Sequence, residues 1–257
     1  MSFVSGCDSI IFTPMANGYT DKVIISVGGS LIVPNGGVDT AFLSKFNKFV
    51  RSELANNPNR QFFLAIGGGQ TTRLYQKAAR EVIGDKLTRD DLDWIGIHAT
   101  RLNAHLVRTI FRDVAHQYII KNFEIIQKVT QPVVIASGWK PGWSTDYDAI
   151  LLAEDYQVEK IVNLTNTEYV YDKDPKKFPD AKPIENISWN DFRKLVGNEW
   201  IPGMNAPFDP IAAKKAEELN LTVVIAGADL ENLEKILNNK PFKGTTIESI
   251  SDKSNDA

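Results

Sequence analysis

KVIISVGGSL, residues 22–31, is the stretch that decides the fold class. Its first six positions are mostly β-branched and apolar, they lack the polar alternation of a strand with one wet face, and they stop at Gly28-Gly29-Ser30. A strand of that kind is covered on both sides, as parallel strands flanked by helices are. The signature returns at QFFLAI (61–66), ending in Gly67-Gly68-Gly69, and at QPVVIAS (131–137), ending in Gly138. KIVNL (160–164) and LTVVIAG (221–227) repeat the apolar run. Helical spacing fills the intervals. Phe42, Phe46, Phe49 and Val50 set a stripe for a helix over 39–55. Helices are also predicted at 71–83, 90–113, 146–156, 188–196 (Ser188 as N-cap), 209–219 and 230–237. Ile95, Ala99, Leu102, Leu106 and Ile110 are the expected buried face of the long helix over 90–113. EYVYD (168–172) reads as a hairpin arm before a turn at 174–183. Strands alternating with helices mean crossover units, hence an α/β fold with an open, mainly parallel central sheet and helices on both faces. Residues 1–21 read as an extension, 22–250 as one domain and 251–257 as a frayed polar tail.

Composition narrows the function. The chain has 257 residues, 29 Lys+Arg against 32 Asp+Glu, and a net charge of −3. A general nucleic-acid binder would carry a basic excess, so no nucleic-acid partner is expected. A lone cysteine, Cys7, excludes an internal disulfide and a multi-cysteine metal cluster. His98 and His105 stand about 10 Å apart along one helix, too far to share a metal ion. No apolar run approaches the roughly 20 residues of a membrane span, and MSFVSGCDSI lacks the pattern of a signal peptide. A soluble cytoplasmic protein without a membrane partner is the expectation.

All three glycine-bearing loops fall at carboxyl ends of parallel strands, the edge at which open α/β sheets bind ligands. Glycine lets backbone approach an anion without a Cβ in the way, and amide groups at a following helix start favour phosphate. One such loop is only a turn; three together point to an anion site. Neither GxxxxGK[ST] nor GxGxxG after a strand occurs, which disfavours a P-loop kinase and a dinucleotide dehydrogenase. No serine has a convincing histidine partner, so no nucleophilic triad is expected.

In order along the chain, KVIISVGGSL (22–31), FFLAIGGGQTTRLYQKAA (62–79), DWIGIHATRLNAHLV (93–107), PGWSTDYDAILLAE (141–154), NLTNTEYVYDKDP (163–175), DPIAAKKA (209–216) and KGTTI (243–247) resemble the amino acid kinase superfamily, and within it the UMP kinases of archaeal-like type. The resemblance implies an αβα sandwich, transfer of the γ-phosphoryl of ATP to UMP, Mg²⁺, and a homo-oligomer, most often a hexamer. It divides the domain into an acceptor half (22–157) and an ATP half (158–250). By position it implies that Gly28, Gly29 and Ser30 border the moving phosphoryl group. Gly67, Gly68 and Gly69 would face the acceptor, and Arg73 would reach its phosphate. Asp93 would take the ribose hydroxyls, Thr100 and Asn103 would face the acceptor pocket, and Ser144 and Thr145 would read the uracil or its phosphate. Thr165, Asn166, Tyr171 and Asp174 would line the ATP base and ribose, and Asp209 would hold a lysine or Mg²⁺ near the phosphates. Each also has a plain reading. Asp93, Asp146 and Asp209 suit helix N-caps, with Pro210 after the last; Arg73, Thr100 and Asn103 suit a helix surface, and Tyr171 packing.

The sequence departs from the pattern in places. Many superfamily members carry lysine where Ser26 stands, which leaves Lys22, Lys140 or Mg²⁺ to neutralise the phosphoryl group. Trp139 and Trp143 replace more polar residues and would either stack on a base or cover a subunit interface. Glu168-Tyr169 replaces an Asp-Gly pair, restricting φ at the ATP turn. WIPGMNAPFDP (200–210) reads as a lid or a fixed loop. Two alternatives stay open: another small-acceptor kinase of the superfamily, and non-catalytic storage of oxyanions such as molybdate or tungstate, or nucleotide sensing, on the same fold.

Overall fold

Five buried strands make the frame. In the computed structural model, which describes residues 18–197 and 207–249, they are β1 (Asp21–Val27), β2 (Arg60–Ile66), β3 (Val133–Ala136), β4 (Lys160–Leu164) and β8 (Thr222–Ala226). All pair in parallel, in the order β3-β2-β1-β4-β8. The pleat sends alternate side chains to opposite faces. Ile25, Phe62, Leu64, Val133 and Val162 enter one core; Ile24, Phe63, Val134, Ile161 and Val223 enter the other.

Helices close both faces. Leu43, Phe46 and Val50 of α2 (Thr40–Asn56), Val107 of α4 (Arg89–Ile110) and Leu233 and Ile236 of α8 (Leu230–Leu237) cover the first. Ile150 and Leu152 of α5 (Thr145–Tyr156), Trp189 and Phe192 of α6 (Trp189–Val196) and Ala212, Ala213 and Ala216 of α7 (Pro210–Glu218) cover the second. The small side chains on α7 let it lie close to α5 and α6. The predicted αβα sandwich is therefore the observed architecture.

Short elements that the sequence does not announce finish it. A four-residue helix, α1 (Gly29–Ile32), follows β1 directly, and α3 (Gly69–Ile83) starts at the third glycine of its loop, two residues before the predicted start. The hairpin arm is β5 (Val170–Tyr171), antiparallel to β6 (Pro183–Ile184). β9 (Thr245–Glu248) joins the sheet antiparallel to β8 and carries β7 (Asn186–Ser188) outside it, giving seven strands. The predicted face of α4 needs correction. Ala99 is buried and Leu106 and Ile110 pack against the core as expected, but Leu102 is 64% exposed, and Leu92, Ile97, Thr100, Asn103, Ala104 and Val107 are buried as well. The helix is rotated because its inward face meets polar loop backbone, as described next. Of the extension over 1–21, residues 1–17 lie outside the described residues, as do the tail over 251–257 and most of the segment 200–210; Asp21 already opens β1.

Candidate functional site

The chain runs from β1 outward through β2 to β3, then returns to lay β4 on the other side of β1. That reversal opens a crevice beyond the carboxyl ends of β1 and β4. Gly28 donates its N–H to Leu164 O there at 2.8 Å, tying the two strand ends together. A cleft beside this point is lined by Gly28, Gly29, Gly67, Gly68, Gly69, Arg73, Asp93, Thr100, Gly138, Trp143, Ser144, Thr145 and Asp146, with Ser26, Thr72 and Gln76 among its other walls.

The first two glycine loops touch backbone to backbone. A Cβ on Gly29 would lie 2.0 Å from Gly69 N, and one on Gly67 would lie 2.5 Å from Gly29 N. Gly69 has φ +63°, and its Cβ would meet Gly29 O at 2.2 Å. Only glycine permits this junction, which brings the first turn of α3 to the cleft. Of the leading N–H groups of that helix, that of Gln70 donates to Val33 O at 2.9 Å; the others have no partner inside the helix and favour an anion. Arg73, one turn on, adds a cation at the rim, where its Nη1 donates to Gln70 Oε1 at 3.3 Å.

Thr100 and Asn103 hold the loops from beneath. Asn103 Nδ2 donates to Gly67 O at 2.9 Å and Gly68 O at 3.0 Å. Thr100 Oγ1 donates to Ile97 O at 2.7 Å and accepts from Gly138 N at 2.9 Å. Both are buried, so the surface reading of them fails. Asp93 lies inside α4, whose N-cap is Thr88, so the capping reading fails as well. Its carboxylate accepts from Gly142 N at 2.7 Å, and burial pushes its pKa up.

On the opposite wall a chain of polar groups links three elements. Ser26 Oγ donates to Asp146 Oδ1 at 3.1 Å, Asp209 N donates to Asp146 Oδ2 at 3.2 Å, and Ser144 Oγ donates to Asp209 Oδ2 at 2.5 Å. Ser144 caps α5, and Asp209 caps α7 by accepting from Ile211 N at 2.8 Å. The capping reading of Asp209 is thus right, and it coexists with a place in this chain. Asp146 is no cap but a first-turn residue of α5. Desolvation, and next the neighbouring charge of Asp209, raise its pKa to about 7. Burial raises Asp209 too. Asp148, one position beyond Tyr147, is fully buried, neither of its oxygens has a hydrogen-bond partner, and its pKa is well above the carboxylate range. The sequence offered Asp146 only as a helix start and gave no sign of Asp148; the spacing of two aspartates in one helical turn was the available signal.

Lys22 is corrected. It lies at the amino end of β1, about 20 Å of extended chain from Gly28, and its Nζ donates to Tyr156 O at the far end of α5 at 3.0 Å. Lys140 sits over two indoles, 3.9 Å from the ring centre of Trp139 and 4.5 Å from that of Trp143. Thr165 and Asn166 follow β4 beside Gly28 but do not line the cleft, nor do Tyr171 and Asp174. Asp174 accepts from Lys176 N at 2.9 Å and shapes its turn. Tyr169 keeps a negative φ, so the loss of glycine there strains nothing. Among the described residues no cluster of three or more His, Cys, Asp or Glu could hold a metal ion, and no helix is long and apolar enough to cross a membrane.

Comparison with known proteins agrees with this architecture. The amino acid kinase family profile matches residues 21–227. A uridylate kinase of Methanococcus aeolicus is 33% identical over 231 residues, covering 88% of this chain and 99% of its own. One from Methanobrevibacter smithii is 31% identical over 230 residues, covering 88% and 98%. The crystal structure of the uridylate kinase of Archaeoglobus fulgidus superposes with a TM-score of 0.74 at 30% identity, over 88% of this chain and 99% of that one. With the glycine junction, the switch-point cleft and near full-length similarity all in agreement, the chain belongs to the amino acid kinase family and, within it, to the uridylate kinases.

Proposed function

We propose that the chain is an ATP-dependent nucleoside monophosphate kinase that converts UMP and ATP to UDP and ADP. The observation that carries the reading is the Gly29–Gly69 backbone junction at the switch point, beside the start of α3. In this reaction a phosphate oxygen of UMP attacks the γ-phosphorus of ATP and the bond to the β-γ bridging oxygen breaks. The nucleophile is already an anion, so catalysis is alignment and charge neutralisation. Backbone N–H groups of Gly29, Ser30, Gly68 and Gly69 suit the phosphates, while those of Gly28 and Gly67 are bonded to Leu164 O and Val27 O and fix the loops that border them; Arg73 suits the phosphate of the acceptor. Asp93 suits the ribose, and Ser144 and Thr145 the uracil or its phosphate. Thr165, Asn166, Tyr171 and Asp174 remain proposed for the ATP nucleoside, so that residues 22–157 serve the acceptor and 158–250 the donor. Asn103 and Thr100 act as supports of the loops rather than as ligands.

Mg²⁺ fits the residues present. It binds through one or two carboxylates together with substrate phosphates, and Asp146 and Asp209 offer that pair, joined through the Asp209 N–H and crowded enough to welcome a cation. Bound there, the ion would supply charge neutralisation that no lysine in the cleft lining provides. We further propose a cytoplasmic location and a homo-oligomer, with a hexamer as the expected size. The test is a panel of acceptors with ATP and Mg²⁺: UMP, CMP, dTMP, isopentenyl phosphate and acetylglutamate. Selective formation of UDP is the expected result. Turnover of another acceptor in preference, or of none by folded protein, would overturn the reading.

A further inference from the structure

We infer that Trp143 is the specificity-determining residue of the acceptor site, a rigid indole that receives the pyrimidine ring. The inference rests on the acceptor reading above and goes beyond it. The loop that carries Trp143 is fixed at several points. Gly138 N is held by Thr100, Gly138 O and Trp139 O accept from Arg101 at 3.2 and 3.0 Å, Gly142 N is held by Asp93, and Ser144 bonds to Asp209. Between these ties Trp143 forms part of the cleft wall.

The indole is braced on its remaining sides. Trp139 meets it at 4.6 Å with an interplanar angle of 77°, Tyr147 lies 4.5 Å away, and the Lys140 ammonium sits 4.5 Å from its ring centre. Phe123 backs Trp139 at 5.8 Å. An indole held by three neighbours loses little freedom when a ligand arrives, so its contact energy appears as affinity. The direction of the cleft supplies the rest. Asp93, read here for the ribose, is bonded to Gly142 N, and Trp143 is the next residue and lines the same cleft, so a base carried by that ribose has the indole as its neighbour. The remaining lining of the cleft is largely glycine backbone and small polar side chains; Trp143 is its largest planar apolar group. A nucleobase is the planar apolar part of the acceptor.

The experiment compares wild type, Trp143→Ala and Trp143→Phe, with thermal melts to confirm folding. Removing a base-stacking aromatic typically weakens binding by about tenfold or more. Trp143→Ala is expected to raise the KM for UMP by about that factor and leave the KM for ATP unchanged. Trp143→Phe should recover most of the UMP affinity. Ribose 5-phosphate, which has no base, serves as a competitive inhibitor, and its inhibition constant should be the same in all three proteins. If UMP is turned over but its KM in Trp143→Ala stays within about twofold of wild type, the inference is wrong. Equal weakening of UMP and ribose 5-phosphate would also overturn it, because the indole would then only hold up the loop. If wild type uses no nucleoside monophosphate, the acceptor reading itself has failed.

Discussion

A Cβ added to Gly29 would stand 2.0 Å from one backbone nitrogen and 2.6 Å from another, with no flexible side chain to yield. Gly29→Ala is therefore expected to separate the first two loops, costing about 1–3 kcal/mol or more in overpacking and removing nearly all turnover. Gly37→Ala is the matched control, since a Cβ there meets nothing within 4 Å; equal melting temperatures for the two variants would refute the junction argument. Asp148 is the opposite kind of residue, one whose loss should help. Its buried carboxyl lacks a hydrogen-bond partner and faces the charges of Asp146 and Asp209, with Arg101 as the counter-charge. Asp148→Val keeps the shape and removes the orphaned group. It is expected to raise Tm by about 2–6 °C, read from thermal melts of the two proteins; an unchanged or lower Tm would show that the carboxyl is stabilised where it stands. For Asp146 the folded pKa of about 7 exceeds the unfolded value, so the folded chain holds a proton that the unfolded chain has released. Its contribution to stability is complete below the unfolded pKa, near 4, and is lost as pH rises through about 7. Melts of the nucleotide-free protein across pH 4.5–8.5 should show that fall from this group, and Asp146→Asn should flatten it.

At the scale of elements, α4 is a scaffold for loops as much as a core helix. Asn103 holds two carbonyls at once, and truncating it leaves both buried without that donor. Asn103→Ala should cost about 1–3 kcal/mol and lower kcat/KM for UMP at least tenfold; an unchanged kcat/KM would show that the loops hold their shape unaided. The same helix shows where sequence reading stops. Strands ending in glycine were legible because continuous apolarity and a following Gly are local signals. The inward face of α4 was not, because two of its buried positions are polar and satisfied by loop backbone from elsewhere in the chain. Lys22 misled for a related reason: proximity in sequence to Gly28 is separation in space once the segment is extended. β7 and β9 were missed since three or four residues carry too little pattern. The polar chain from Ser26 through Asp146 and Asp209 to Ser144 joins β1, α5 and α7, and no local motif spans such distances.

At the scale of the molecule, the outer helices leave apolar groups in water. Tyr75 and Val82 on α3 are 67% and 82% exposed, and Trp94 and Leu102 on α4 are 44% and 64% exposed. Trp94, His98 and Leu102 recur every four residues and so share one side of α4. Such faces commonly mark protein contacts, and a second copy of the chain is the expected occupant. Light scattering coupled to size exclusion should find an assembly, and Tyr75→Lys with Leu102→Lys should shift it toward monomer; a monomeric wild type would refute the homo-oligomer. The seven-stranded sheet has a consequence for synthesis. Among the described residues β7 has β9 as its only neighbour in the sheet, and β9 is made much later, near the carboxyl end of the described chain. While the polypeptide emerges from the ribosome, β7 must wait unpaired and the outer edge of β8 stays bare, a template for joining other nascent chains. β9 is thus the strand that covers the outer edge of β8 and gives β7 its partner, and chains halted just before Thr245 should be sticky in a way that the finished protein is not.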